Sequence, residues 1–166
     1  MKEHETHMRL ALKEARLALE AGDFPVGCVI VQEGRVVATG RRQNSAILTN
    51  ELDHAEIVAL RSLLTEKPGT DVSRVTIYST MEPCLMCYAT MLVNNISNIV
   101  YGYEDAMGGG TNLPLTRLAP LYASKQISIT GSVLRAECLD LFQQFFRTEA
   151  NGYLSDSLLA RYTLSQ

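Results

Sequence analysis

A histidine, a glutamate and two cysteines stand at a spacing that can do hydrolytic chemistry. His54-Ala55-Glu56 is followed well downstream by Pro83-Cys84-Leu85-Met86-Cys87. One imidazole and two thiolates are good zinc ligands. Three protein ligands leave a tetrahedral ion one open position, which distinguishes a catalytic zinc from a structural one. Zinc lowers the pKa of water held at such a position toward about 7. Glu56, two residues from the histidine, can reach that water without being a ligand. It is the candidate catalytic residue, placed to take a proton from that water and pass it on. His54, Cys84 and Cys87 are the candidate metal ligands. The expected cofactor is one Zn2+ per chain, with no organic cofactor.

Each residue taken singly has a plainer reading. His54 alone reads as a packed or helix-terminal histidine, and Glu56 alone as a solvated first-turn carboxylate. Cys84-x-x-Cys87 alone reads as half of a structural zinc knuckle or as a redox pair. A four-cysteine structural site would need Cys28 and Cys138. Cys28 lies inside an apolar run and Cys138 in a late helix. Free cysteine is commonly buried, and both read as core. The joint pattern favours the catalytic zinc.

These residues need a rigid frame. Residues 2–21 carry apolar positions at helical spacing, with Gly22 as a stop. Residues 26–31 and 35–40 are two strands joined by the turn signal Glu33-Gly34, a hairpin. A helix begins near Asp53 or His54 and runs to about Leu64, with Asp53 as its N-cap. Residues 75–79 form a third strand. Pro83, favoured in a first helical turn, opens a helix from Cys84 to about Val93. Cys84 and Cys87 lie one turn apart and can face one ion. A fourth strand covers 96–101, a Gly-rich loop 104–117, a short helix 118–124 and a fifth strand 127–129. An amphipathic helix spans 134–147, is broken at Asn151-Gly152, and precedes a short helix at 154–163. Strands separated by helices predict an α/β sheet covered on both faces. Two helix N-termini converging on the metal would stabilise thiolates and a developing oxyanion.

The bulk properties narrow the classes. The 166 residues suit one domain, 1–166, with its core at about 5–147 and a helical tail at 148–166. No apolar run approaches the roughly 18 residues of a membrane span. The polar start, Met1-Lys2-Glu3-His4-Glu5, is unlike a signal peptide. A cytoplasmic location and no membrane partner are the expectations. The formal net charge is −3 and Arg41-Arg42 is the only adjacent basic pair. A protein gripping a long nucleic acid usually shows a basic patch, so the balance favours a small substrate. The helix after Cys84 carries Met86, Tyr88, Met91 and Leu92, more apolar surface than one sheet face needs. A homodimer is expected on that ground.

H-x-E…P-C-x-x-C is the signature of zinc deaminases. The chain resembles the cytidine/deoxycytidylate deaminase superfamily, and most closely the branch with bacterial tRNA adenosine deaminases, guanine deaminases and yeast-type cytosine deaminases. Pro25-Val26-Gly27, Asn44, His54-Ala55-Glu56-Ile57 and residues 76–87, Thr-Ile-Tyr-Ser-Thr-Met-Glu-Pro-Cys-Leu-Met-Cys, carry the resemblance. So do Tyr101-Gly102, Asp105 and Phe145-Phe146-Arg147. It spans roughly residues 5–147. It implies a three-layer α/β/α fold with a five-stranded mixed sheet, zinc on His54, Cys84 and Cys87, and a proton shuttle at Glu56. It also implies substrate contacts. Asn44 matches an asparagine that hydrogen-bonds base or sugar, and Asp105 a position close to the sugar in RNA-acting members. Ala55 and Phe24 complete the candidate substrate-binding set.

The departures bear on substrate. The RNA editors carry Asp-Pro-Thr-Ala before His-Ala-Glu, where this chain has Thr49-Asn50-Glu51-Leu52-Asp53. They end in a Lys/Arg-rich helix, and here residues 148–156 are acidic to neutral. The loop Ala106-Met107-Gly108-Gly109-Gly110-Thr111-Asn112 differs too. Phe145-Phe146-Arg147 points the other way, toward tRNA. The expectation is a zinc-dependent hydrolytic deaminase of a free nucleobase or nucleoside. The alternative is a tRNA-specific adenosine deaminase acting on an anticodon loop. A non-catalytic zinc-stabilised binding module is the third class, and Glu56 argues against it. Tyr153, Leu154, Leu158, Leu159 and Tyr162 are apolar enough to lie over a pocket.

Overall fold

The computed structural model describes residues 2–45, 50–148 and 152–166. The elements run α1 (Lys2–Glu20), β1 (Gly27–Gln32), β2 (Arg35–Arg41), α2 (Ala55–Glu66), β3 (Thr76–Met81), α3 (Leu85–Val93), β4 (Asn98–Tyr103), α4 (Pro120–Ala123), β5 (Ser128–Thr130), α5 (Arg135–Arg147) and α6 (Leu158–Leu164). The five strands form one mixed sheet ordered β2-β1-β3-β4-β5. β1 pairs antiparallel with β2 and β3, while β3-β4 and β4-β5 are parallel. Helices make the crossovers that parallel neighbours require. Glu33 (φ 51) and Gly34 (φ 74) form the two-residue turn between β1 and β2, as a primed hairpin turn demands.

The register shows how the layers are divided. Cys28 pairs with Gly40 and Gly27 with Arg41, so Gly27 and Gly40 point to opposite faces. A Cβ on Gly27 would lie 2.1 Å from the Ala11 carbonyl oxygen of α1, and one on Gly40 would lie 2.4 Å from the Ala55 carbonyl oxygen of α2. Only glycine lets both helices come that close to the sheet. α1 and α5 cover one face and α2 and α3 the other, giving the expected α/β/α sandwich. Cys28 and Cys138 are fully buried in its core. The short α6 packs on α5, where Leu159 and Ala160 are buried and Thr163 Oγ1 hydrogen-bonds Tyr103 Oη at 3.1 Å.

Two expectations are corrected. Asp53 does not cap α2. The N-cap residue is His54, and Asp53 Oδ2 instead accepts from Asn44 Nδ2 (3.0 Å) and Asn50 Nδ2 (2.5 Å). α5 ends at Arg147, as the pattern predicts; Asn151, expected to break it with Gly152, lies outside the described residues. Of the four apolar residues expected to face a partner, Tyr88, Met91 and Leu92 are buried within the chain and Met86 is half-buried, whereas Leu85 and Val93 on the same helix are exposed.

Candidate metal centre and substrate pocket

The site lies beyond the carboxyl ends of β3 and β4, the usual ligand position in α/β sheets. His54 and Cys84 occupy the N-cap positions of α2 and α3. Both have extended backbone there, and neither side chain caps its own helix. Ser, Thr, Asp or Asn would turn back onto a free N–H at such a position. The imidazole and thiol instead project toward each other. Cys87, in the first turn of α3, joins them from below.

These three groups fit zinc. Their ligand atoms lie within 4.8 Å of one another. His54 Nδ1 is 3.5 Å from both Cys84 Sγ and Cys87 Sγ. A tetrahedral ion with Zn–S of about 2.3 Å and Zn–N of about 2.0–2.1 Å sets its N···S edges at about 3.5 Å. Within the thiol pair, Cys84 is the readier to ionise. A hydrogen bond from Cys87 and another with His54 hold it down at about 4 against the opposing effect of burial. The same Cys84–Cys87 bond, and burial, hold Cys87 up.

Glu56 sits one helical step inside, buried with 3% exposure. Ser79 Oγ on β3 donates to its Oε1 at 3.2 Å, and Cys87 Sγ lies 3.5 Å from its Oε2. Burial raises its pKa, opposed by the charge on His54. A carboxyl poised to hold a proton is what a general acid–base needs.

Above these groups is a cavity of about 280 Å³. Ala55, fully buried, and Phe24 line it. Phe24 is also a core residue, its ring 5.2 Å from those of both Phe142 and Phe145. Asp105 lines the cavity, and its Oδ1 accepts from the Met107 and Gly108 N–H groups (2.9 and 2.8 Å). Asn44 is not brought to the cavity; it is a turn residue at φ 61 tied to Asp53. The tail segment lines its own chain's cavity through Tyr153, Leu154 and Leu159.

Four polar residues line the cavity beyond the candidate site set. Glu51 Oε2 lies 3.3 Å from His54 Nε2, the nitrogen turned away from the sulfurs. Arg42, only 2% exposed, donates from Nη2 to Glu51 at 3.0 Å. Tyr153 Oη donates to both Glu51 oxygens (3.2 and 3.1 Å). Glu82, buried, receives the Asp105 and Thr111 N–H groups (3.2 and 3.3 Å) and the Thr111 hydroxyl, fixing the loop after β4.

A histidine and two thiols at zinc spacing, beside a buried carboxyl in an apolar cavity, match a known family. The profile of the cytidine and deoxycytidylate deaminase zinc-binding region covers residues 1–103. The chain belongs to this family. It is a zinc-dependent hydrolytic deaminase that uses one Zn2+. The tRNA-specific adenosine deaminase of Streptococcus pyogenes serotype M18 is 29% identical over 148 residues, 89% of this chain and 92% of that protein. A solved tRNA:A34 deaminase, described as editing A to I at the wobble position of transfer RNA, superposes with a TM-score of 0.68 at 27% identity, over 82% of this chain and 98% of that one. Bacillus subtilis guanine deaminase superposes at 0.55 with 28% identity, over 61% of this chain and 64% of that one. Among the described residues no helix is long and apolar enough to cross a membrane.

Proposed function

We propose that this deaminase converts adenosine to inosine in a tRNA anticodon loop, with His54, Cys84 and Cys87 holding the zinc and Glu56 moving the protons. The observation that carries the reaction is the buried Glu56 carboxyl beside the ligand cluster on the cavity floor. Similarity over 89% of the chain to an adenosine deaminase of tRNA supports the substrate. It outweighs the charge balance, which by itself favours a small molecule.

When bound, zinc supplies the Lewis acidity that makes water a nucleophile near neutral pH. The chain's own residues do the rest. Glu56 accepts a proton from the attacking water and returns it to the ring nitrogen beside the reacting carbon. It then takes the second proton from the added hydroxyl and passes it to the amino group, which leaves as ammonia. Its raised pKa suits it to both directions of transfer. Ser79 holds the carboxyl by its Oε1 so that Oε2 stays on the metal side. Ala55 and Phe24 supply apolar wall to the cavity, and Asp105 borders it on the loop side.

A second reading, a free nucleobase or nucleoside, is favoured by one observation. Tyr153, Leu154 and Leu159 of the tail line the cavity, narrowing the approach a polynucleotide must use. Ammonia release and inosine formation, measured on an anticodon stem-loop, free adenosine, guanine and cytosine, decide between the two. Turnover of the stem-loop far above the free compounds supports the first reading. Turnover of a free base or nucleoside with an inert stem-loop establishes the second.

A further inference from the structure

Glu51 joins the C-terminal tail to the metal site. Its carboxylate is half exposed, with a side-chain exposure of 55%, and an exposed carboxylate keeps one orientation only where donors hold it. Three donors do so. They are the Arg42 guanidinium on one side, the Tyr153 hydroxyl on another and the His54 Nε2–H on the third. Tyr153 lies 102 residues from Glu51 in the chain. It is fixed in turn by its ring, 5.5 Å from that of Phe24, and by α6, which follows it and buries Leu159, Ala160 and Thr163.

The chemistry of a ligating histidine explains what the arrangement does. The ring must offer one nitrogen as a lone pair, so the other carries the proton. A carboxylate accepting that proton fixes both tautomer and ring orientation, and losing such a partner typically weakens metal affinity by about 10–100-fold. Here Nδ1 faces the two sulfurs at 3.5 Å and Nε2 faces Glu51 at 3.3 Å. The carboxylate is the correct partner in the correct place.

Resting on the proposed ligation by His54, we propose that Glu51 and Tyr153 are positioning residues for the zinc. The tail hydroxyl orients Glu51, Glu51 orients His54, and a docked tail is part of a tight metal site. The coupling is reciprocal by thermodynamic necessity, so zinc also tightens the tail. Tyr153 has a further task that must be separated from this one. Its ring lies over the Arg42 guanidinium at 5.7 Å. Two nitrogens of that guanidinium, Nε and Nη1, are buried without a hydrogen-bond partner among the described residues. Removing the ring would uncover a buried cation, whereas Tyr153→Phe keeps the ring and deletes only the hydroxyl.

The test is zinc affinity of the full chain, measured by competition with a chromophoric chelator for wild type, Glu51→Gln, Tyr153→Phe and the double variant. Glu51→Gln is expected to weaken zinc by about 10–100-fold. Tyr153→Phe should weaken it by a smaller factor, and the double variant should match Glu51→Gln because the hydroxyl acts through the carboxylate. Amide exchange in residues 152–164 should slow on adding zinc to wild type and change less in Glu51→Gln. Wild-type affinity in both single variants overturns the inference, as do losses that simply multiply in the double variant. Cys87→Ala is the control. If it sheds zinc while Glu51→Gln does not, the ligand reading stands and only the coupling fails. If it too binds zinc as wild type does, the ligand reading itself fails.

Discussion

Replacing Glu56 with glutamine separates proton transfer from metal binding. The change keeps the volume of a buried side chain, so it opens no cavity. Ser79 Oγ, which donates to Oε1 at 3.2 Å, can donate to the amide oxygen, and the amide nitrogen then faces the Cys87 sulfur. What disappears is the ability to carry a proton. A general acid–base group typically contributes about 10²–10⁴-fold, or about 3–5.5 kcal/mol of barrier. Glu56 serves more than one transfer in the proposed reaction, so the expected loss is about 10⁴-fold or greater. Stability should move the other way. Burial is the largest influence on this carboxyl and disfavours its charge. A neutral amide removes that penalty. A gain of about 1 kcal/mol would raise the melting midpoint by about 2–4 °C in a chain of this size. The assays are ammonia release on the best substrate, elemental zinc analysis and calorimetry. Turnover within tenfold of wild type would refute the shuttle role. Zinc lost in parallel with turnover would make Glu56 a ligand.

Other outcomes follow from neighbouring contacts. Glu82→Ala strips the partners from two backbone N–H groups and a hydroxyl of the loop after β4. It should cost about 2–4 kcal/mol and raise KM, since that loop brings Asp105 and Met107 to the cavity; unchanged denaturant midpoint and KM would contradict this. Glu104 is held at about 2, first by its hydrogen bond with Arg135 and also by the Tyr162 hydroxyl, against an ordinary value of 4.5. Its contribution is complete above 4.5 and is lost as pH falls from there toward about 2. Glu104→Gln should therefore melt lower at pH 7 and show a flatter dependence across that acid window; parallel curves would exclude the effect. Stripping zinc with a chelator should lower the melting midpoint by an amount that grows with the free zinc concentration used for the comparison, because an ion held by the native state stabilises it by RT ln(1 + [L]/Kd). A midpoint indifferent to zinc would mean that the three ligands do not act together.

The elements of the fold were legible because they rest on local pattern. The β-branched run at 26–31 and the helical period at 2–21 match β1 and α1 to within a residue or so. The errors came where a weak local preference met a tertiary demand. Asp53 is a good capping residue by propensity, yet α2 starts one residue later because His54 takes the cap position and turns its ring to the sulfurs. Asp53 is thereby freed to bind Asn44 and Asn50. Arg41-Arg42 read as the one adjacent basic pair of the sequence. In the fold Arg41 lies 3.4 Å from Glu14, while Arg42 is buried against Glu51, so neither forms a free basic patch.

The site divides in the same way. His54, Glu56, Cys84 and Cys87 stood out because short spacings along the chain make them neighbours around one point. Glu51 and Tyr153 meet across 102 positions, and nothing local to either marks the contact. That contact also bears on how relatives acting on tRNA can share a fold with a chain whose cavity is narrowed by its own tail. The cavity of about 280 Å³ needs to admit only the reacting nucleoside. The flanking nucleotides of an anticodon loop would run outside it, past Tyr153 and Leu154. Of the described residues lining the cavity, Arg42 is the one with a permanent cationic side chain, and it is already committed to Glu51. On the proposed tRNA reading, attraction for the phosphates would have to come from beyond the rim. The lining groups would select the nucleoside that enters, and the tail would limit how its neighbours pass.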